Sequence, residues 1–166
     1  MTLRRQERKG SPTAVCAGAV LLAALCVPGM ALAQATTERV VVNRFTGLAI
    51  SGFDPVAYFT DTSPMRGDER FEAVQNGAVW RFRNEGNRAA FVSHPEIYAP
   101  QFGGHDPVDV ARGKVVQGLP QLWTIHAQRL YLFANESSRT AFAAKPEGFA
   151  SSAQRHWPKL KQELAQ

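Results

Sequence analysis

An internal duplication constrains the fold of this chain more than any other feature of its sequence. The tripeptide Asp-Pro-Val occurs at residues 54–56 and again at residues 106–108. When residues 82–105 are laid over residues 133–156, ten of the 24 positions are identical. The tripeptides lie 52 residues apart and the longer segments 51 apart, so one residue has been lost between them. The chain therefore consists of two copies of one unit.

The N-terminal 33 residues have the composition of a secretory signal peptide. A basic head with Arg4, Arg5, Arg8 and Lys9 precedes an apolar stretch that ends in Ala31-Leu32-Ala33, a cleavage signal built from small residues. Glycine and proline interrupt this stretch, which is already short for a membrane span. We expect cleavage after this signal and export to the bacterial periplasm, by either the general or the twin-arginine route, with no stable membrane span afterwards.

Removal of this leader changes what the composition implies. Both cysteines, at positions 16 and 26, leave with it, so the mature protein would have neither a disulfide nor a thiolate ligand. The leader carries four basic residues and one acidic residue, so the formal net charge falls from +5 to +2. This small charge argues against a nucleic-acid partner. All 16 aromatic residues lie beyond position 33, which is enough for the core of one compact domain.

Each copy predicts a β-hairpin followed by a short helix. In the first copy, Asn76-Gly77 suits a tight hairpin turn, and apolar and polar residues alternate over residues 78–82, which predicts one buried and one wet face. Asn84 is expected to cap a helix that Pro95 ends. The second copy repeats this pattern, but its hairpin is apolar on both faces, which indicates a more central place in the sheet.

We therefore predict an α+β fold in which two fused units, about residues 54–105 and 106–157, share one core. One unit alone would bury too little apolar surface to be stable. Residues 34–43 are expected to be a flexible lead-in to a domain that covers residues 44–166. The C-terminal tail is expected to be helical and to be broken at Pro158.

The motifs of both copies resemble those of the YHS domain family, which is related to the small metal-binding TRASH modules. The first copy opens with G-F-D-P-V-A-Y-F at Gly52–Phe59, and W-P-K-L follows near the end at Trp157–Leu160, as in exported proteins with tandem YHS domains. The resemblance covers nearly the whole mature chain. It implies a small exported binding or accessory protein without catalytic activity, and it raises zinc or copper as a ligand.

The metal ligands of the family are cysteines, and this chain has none at the corresponding positions. The resemblance places them at six positions, which here hold Ala57, Arg83, Asn87, Asp109, Ala134 and Ser138. In many exported relatives a further cysteine follows the Gly-Gly pair before the second tripeptide, and its position here is Asp106. A thiolate site for a soft metal is therefore not expected.

Two histidines and one aspartate remain as candidate metal ligands. His105 and His156 occupy equivalent positions of the two copies, and Asp106 follows the first of them. Imidazole and carboxylate together suit a copper or zinc ion, so these three residues form the predicted metal site. In the alternative, both histidines make structural hydrogen bonds, and the protein is a metal-free interaction module with a periplasmic protein partner. Convergence of the three side chains would favour the metal site.

The other polar features leave these two functions open. Asp54 and Asp106 could form a carboxylate pair for acid–base chemistry, but their repetition favours two structural Asx-type turns. Five arginines of the first copy either face an anionic partner or lie on a solvated surface: Arg66, Arg70, Arg81, Arg83 and Arg88. The sequence has no nucleophile elbow, phosphate-binding glycine loop or heme-attachment motif, so we do not expect an enzyme.

Overall fold

Two β-hairpins and six α-helices alternate along residues 38–164, the part of the chain that a computed structural model describes. The first repeat contains α1 (Ala57–Thr60), β1 (Asp68–Gln75), β2 (Ala78–Phe82), α2 (Glu85–Ser93) and α3 (Pro95–Tyr98). The second repeat contains α4 (Pro107–Ala111), β3 (Leu119–His126), β4 (Arg129–Phe133), α5 (Glu136–Ala144) and α6 (Pro146–Glu163). The signal peptide expected at residues 1–33 lies outside the described residues.

Each repeat forms its own two-stranded antiparallel sheet, β1 with β2 and β3 with β4. The tight turns lie where the sequence predicts them, and Asn76 and Gly77 adopt the positive φ values (53° and 77°) that such a turn requires. The mixed α+β fold is therefore confirmed. The second hairpin does not occupy the centre of a larger sheet, because neither hairpin pairs with the other.

Strand β4 lies between two apolar clusters, which explains why both of its faces are buried. Leu130 and Leu132 pack into a cluster that includes Trp80 of the first repeat. Tyr131 and Phe133 pack into a second cluster together with residues of α5 and α6. Because successive strand side chains point in opposite directions, one strand closes both clusters. The shared core that the sequence predicts is therefore divided in two by β4.

Local signals place the longer helices as expected. The side chains of Asn84 and Asn135 cap α2 and α5, each accepting a hydrogen bond from the backbone N–H three residues later, at 2.8 and 2.9 Å. Both helices end two residues before a proline. On the first hairpin, Ala78, Trp80 and Phe82 are buried, which confirms its single buried face.

The C-terminal helix α6 differs from the prediction, since it continues through Pro158 without a break. A proline inside a helix removes one backbone hydrogen bond, but packing of the helix compensates for this loss. Trp157 packs edge-on against Phe102, with 5.9 Å between ring centroids, and holds α6 on the second cluster. No helix within residues 38–164 is long and apolar enough to cross a membrane.

Residues 38–43, which we call the N-terminal strap, belong to the predicted flexible lead-in but are firmly packed. Val40 and Val41 are buried, and Val40 joins the first cluster. The N–H of Val41 donates to the carbonyl of Gly103 at 2.8 Å, and its carbonyl accepts from Ile50 at 2.8 Å. The prediction is therefore wrong for these residues, because their apolar side chains cover the junction between the repeats.

One pair of glycines holds the hairpins close to the start of each repeat. Gly67 and Gly118 lie 51 residues apart, and their N–H groups donate to Gly52 and Gly104 at 2.9 and 3.0 Å. A Cβ at Gly118 would lie 2.6 Å from the carbonyl oxygen of Gly104 and 2.7 Å from the Cβ of Leu132. Only glycine allows this contact between backbone segments.

Candidate functional site

A buried carboxylate organises the first repeat. Asp54 is 0% exposed, and each of its two oxygens accepts hydrogen bonds from the chain around it. Oδ1 accepts from the N–H of Val56 at 2.8 Å and from that of Ala57 at 3.4 Å. Oδ2 accepts from the N–H of Arg83 at 2.8 Å and from the side-chain amide of Asn87 at 2.7 Å. These four donors fill the four lone-pair positions of the carboxylate.

The second repeat has the same arrangement around Asp106, which is also 0% exposed. Its Oδ1 accepts from the N–H groups of Val108 and Asp109 at 2.8 and 3.4 Å, and its Oδ2 accepts from that of Ala134 at 2.8 Å. The Asx-type turns predicted for both aspartates are confirmed. Each carboxylate ties the start of its repeat to the end of the second strand, and neither faces solvent, which does not support acid–base chemistry.

The cysteine positions implied by the YHS resemblance surround these carboxylates. In the first repeat, Ala57, Arg83 and Asn87 all donate hydrogen bonds to Asp54. In the second repeat, two of the three positions donate to Asp106. A metal site directs lone pairs toward a central cation, whereas these residues direct N–H groups toward a central anion. These positions therefore supply hydrogen-bond donors to the two carboxylates.

His105 is fully buried beneath the N-terminal strap. Its Nε2 lies 2.9 Å from the carbonyl oxygen of Glu38, which assigns the proton to Nε2. Its Nδ1 is buried and has no hydrogen-bond partner among the described residues. Burial lowers the pKa of His105, while backbone groups of Glu38 and Val116 act in the opposite direction. Burial therefore disfavours the charged form of this imidazole.

His156 lies in a different environment, although the duplication pairs it with His105. It is exposed on α6, and its Nδ1 lies 3.0 Å from the carbonyl oxygen of Ser152 on the preceding turn. Among residues 38–164, no group of three or more histidine, cysteine, aspartate or glutamate side chains is arranged to hold a metal ion. The site of His105, Asp106 and His156 stays a prediction that this geometry does not support.

The arginines of the first repeat are mostly paired with carboxylates. Four of the five form ion pairs of 2.6 to 2.8 Å, namely Arg70–Asp68, Arg81–Glu72, Arg83–Asp61 and Arg88–Glu85. The fifth, Arg66, lies over the ring of Phe53 at 4.5 Å. Such exposed pairs add little stability, but they compensate the positive charge of this surface.

A groove lies between the N-terminal strap, the first hairpin and helix α6. It has a volume of about 330 Å³. Its lining includes Arg39, Asn76, Trp80, Pro100, Trp157 and Lys161. A second hollow of about 380 Å³ adjoins it and shares four lining residues with it, among them Trp157. This groove is not predictable from the sequence, because one of its walls is the strap that was expected to be flexible.

Comparison with known proteins gives no assignment for this site. No protein-family model matches the chain, and neither a curated protein nor a solved structure matches it. The resemblance to the YHS family therefore depends on the sequence motifs quoted above.

Replacement of either buried aspartate by asparagine should destabilise the protein. The new amide nitrogen cannot accept a hydrogen bond, so at least one backbone N–H is left unpaired, at a cost of about 1–3 kcal/mol. We expect Asp54→Asn and Asp106→Asn each to lower the free energy of unfolding by this amount in urea denaturation. Asp61→Asn, at an exposed ion pair, serves as control and should cost less than about 1 kcal/mol. Equal losses in all three variants would contradict the role of the buried carboxylates.

Stability should depend on pH through His105. The pKa of His105 is lower in the folded protein than in the unfolded chain. The contribution of this imidazole to the free energy of unfolding is therefore complete above the unfolded pKa and is lost as pH falls through the folded pKa. The free energy of unfolding should therefore decrease as pH falls below about 6.5. His105→Gln should reduce this decrease, whereas His156→Gln should retain it. An unchanged pH dependence in His105→Gln would show that this imidazole is not the titrating group.

Proposed function

We propose that this chain is an exported, non-enzymatic binding protein of the YHS type, whose fold is held together by two buried carboxylates and needs no metal. The single observation that carries the proposal is the set of donors around Asp54. Of the three positions assigned to family cysteines, Ala57 and Arg83 donate to this carboxylate through their backbone N–H groups, and Asn87 donates through its side-chain amide. Such a cage stabilises a negative charge, and a cation entering it would meet N–H groups instead of lone pairs.

The two buried carboxylates link distant parts of the chain, as a structural metal does in small metal-binding domains. A structural metal contributes folding energy by linking distant parts of a chain. Here Asp54 links residue 56 to residue 83, and Asp106 links residue 108 to residue 134. These links use no cysteine, which suits the mature chain, and they let the duplicated fold form without a cofactor.

Two observations support binding rather than catalysis. The buried carboxylates of Asp54 and Asp106 have their oxygens engaged with donors, and the buried imidazole of His105 lies under the strap. None of these groups is open to a substrate. The groove beside α6, in contrast, is open and bounded by both repeats and the strap. We assign ligand or partner binding to this groove.

The second candidate function is copper or zinc handling through His105, Asp106 and His156. It would require the three side chains to converge on one ion. Asp106 is buried and accepts three backbone hydrogen bonds, and His156 is exposed on α6 while His105 is buried. Their placement gives this second function no support.

The proposal predicts that the protein binds neither Cu(II) nor Zn(II) stoichiometrically. The test is calorimetric titration of the untagged protein, expressed as the full chain with its own leader, because a histidine tag would itself bind metal. Wild type, His105→Ala and His156→Ala should all show only weak binding, of the kind expected for isolated exposed histidines. His94→Ala, at an exposed histidine outside the candidate site, is the matched control. One tightly bound equivalent of metal, lost in His105→Ala or His156→Ala but retained in His94→Ala, would overturn the proposal.

A further inference from the structure

We infer that the groove beside α6 binds a small organic anion, in which a carboxylate is attached to a flat apolar group. The inference rests on the proposed binding function and names the ligand class of its site. Three properties of the groove support it: the sign of its charge, a fixed aromatic wall and its size.

The charged residues that line the groove are both basic. Arg39 lies on the strap and Lys161 on the last turns of α6, and neither forms an ion pair with a carboxylate of residues 38–164. Two cations with no counter-ion at one wall create a positive potential that favours an anion. The adjoining hollow differs, because Glu96 lines it. The anion is therefore assigned to the first groove.

The guanidinium of Arg39 is positioned before a ligand arrives. Its Nε donates to the carbonyl oxygen of Lys161 at 3.1 Å, while its two terminal nitrogens have no acceptor among the described residues. These nitrogens present the paired donors that match the two oxygens of a carboxylate. Gly103 makes this placement possible, because a Cβ at that position would overlap the carbonyl of Arg39.

Trp157 supplies a rigid apolar wall. Its indole contacts Phe102 edge-on, with 5.9 Å between ring centroids, and lies 5.8 Å from the ring of His105. These contacts hold the indole in one orientation, so a flat group can stack on it at little cost in side-chain entropy. Pro100 and the largely buried Trp80 also line the groove. The volume of about 330 Å³ lies at the small end of the range for ligand pockets.

The test uses 1-naphthoate as the anion and 1-naphthamide as its uncharged analogue. We titrate each into ¹⁵N-labelled untagged protein in a buffer with a metal chelator and follow the amide and indole signals by NMR. Naphthoate should shift the Trp157 indole N–H and the backbone amides of Gly77 and Gly103 in a saturable manner. Its dissociation constant should be at least about tenfold lower than that of naphthamide, and it should rise with added salt.

Two lysines on α6 provide a matched pair of variants. Lys161→Ala removes a cation that lines the groove, and we expect it to weaken naphthoate binding about threefold to fivefold. Lys159→Ala removes a cation that is also exposed but does not line the groove, so binding should remain within about twofold of wild type. Both positions are exposed, so the fold should be retained.

Three results would overturn the inference: no saturable binding of naphthoate, equal affinity for naphthoate and naphthamide, or signal changes located away from Trp157 and Gly103. Equal effects of the two lysine variants would do the same. Since the chelator removes free metal, these outcomes are independent of the metal titration. The groove assignment can therefore fail while the metal-free fold stands, and the reverse also holds.

Discussion

The buried carboxylates of Asp54 and Asp106 are the interactions on which the rest of this structure depends. An unpaired charge inside a protein is very costly, so each side chain must be surrounded by donors before its repeat can close. Those donors come from the turn beside the aspartate and from the end of β2 or β4, nearly thirty residues away. The geometry of each repeat is therefore fixed by one carboxylate and the N–H groups around it. The two repeats in turn position the junction between them, α6 and the groove.

Much of the local structure could be predicted from the sequence, because it depends on short-range chemistry. Asn76-Gly77 specifies a tight turn, Asn84 specifies a helix cap, and the alternation around Trp80 specifies one buried face. The duplication then transfers each assignment to the second repeat. The same comparison could have revealed Gly67 and Gly118, which also lie 51 residues apart and whose missing side chains allow each hairpin to approach the start of its repeat.

The remaining features depend on contacts between distant segments, which duplication does not encode. His105 and His156 occupy equivalent positions in the sequence, but their environments differ. After α3 the first repeat turns sharply toward the junction between the repeats, whereas in the second repeat α6 continues as one helix. The strap looked flexible because its partners, Gly103 and Lys161, are far along the chain. The groove was missed for the same reason, since its walls come from four separated segments.

The most direct test of this account is native-state hydrogen exchange of the backbone amides that bind the two carboxylates. If the carboxylates hold each repeat together, the amides of Val56, Arg83, Val108 and Ala134 should exchange only through global unfolding, with opening free energies equal to that of the whole domain. Arg83 is the most informative of them, because its residue is exposed although its N–H is bonded to Asp54. Exchange of these amides through local opening, well below the global free energy, would contradict the central role of the buried aspartates.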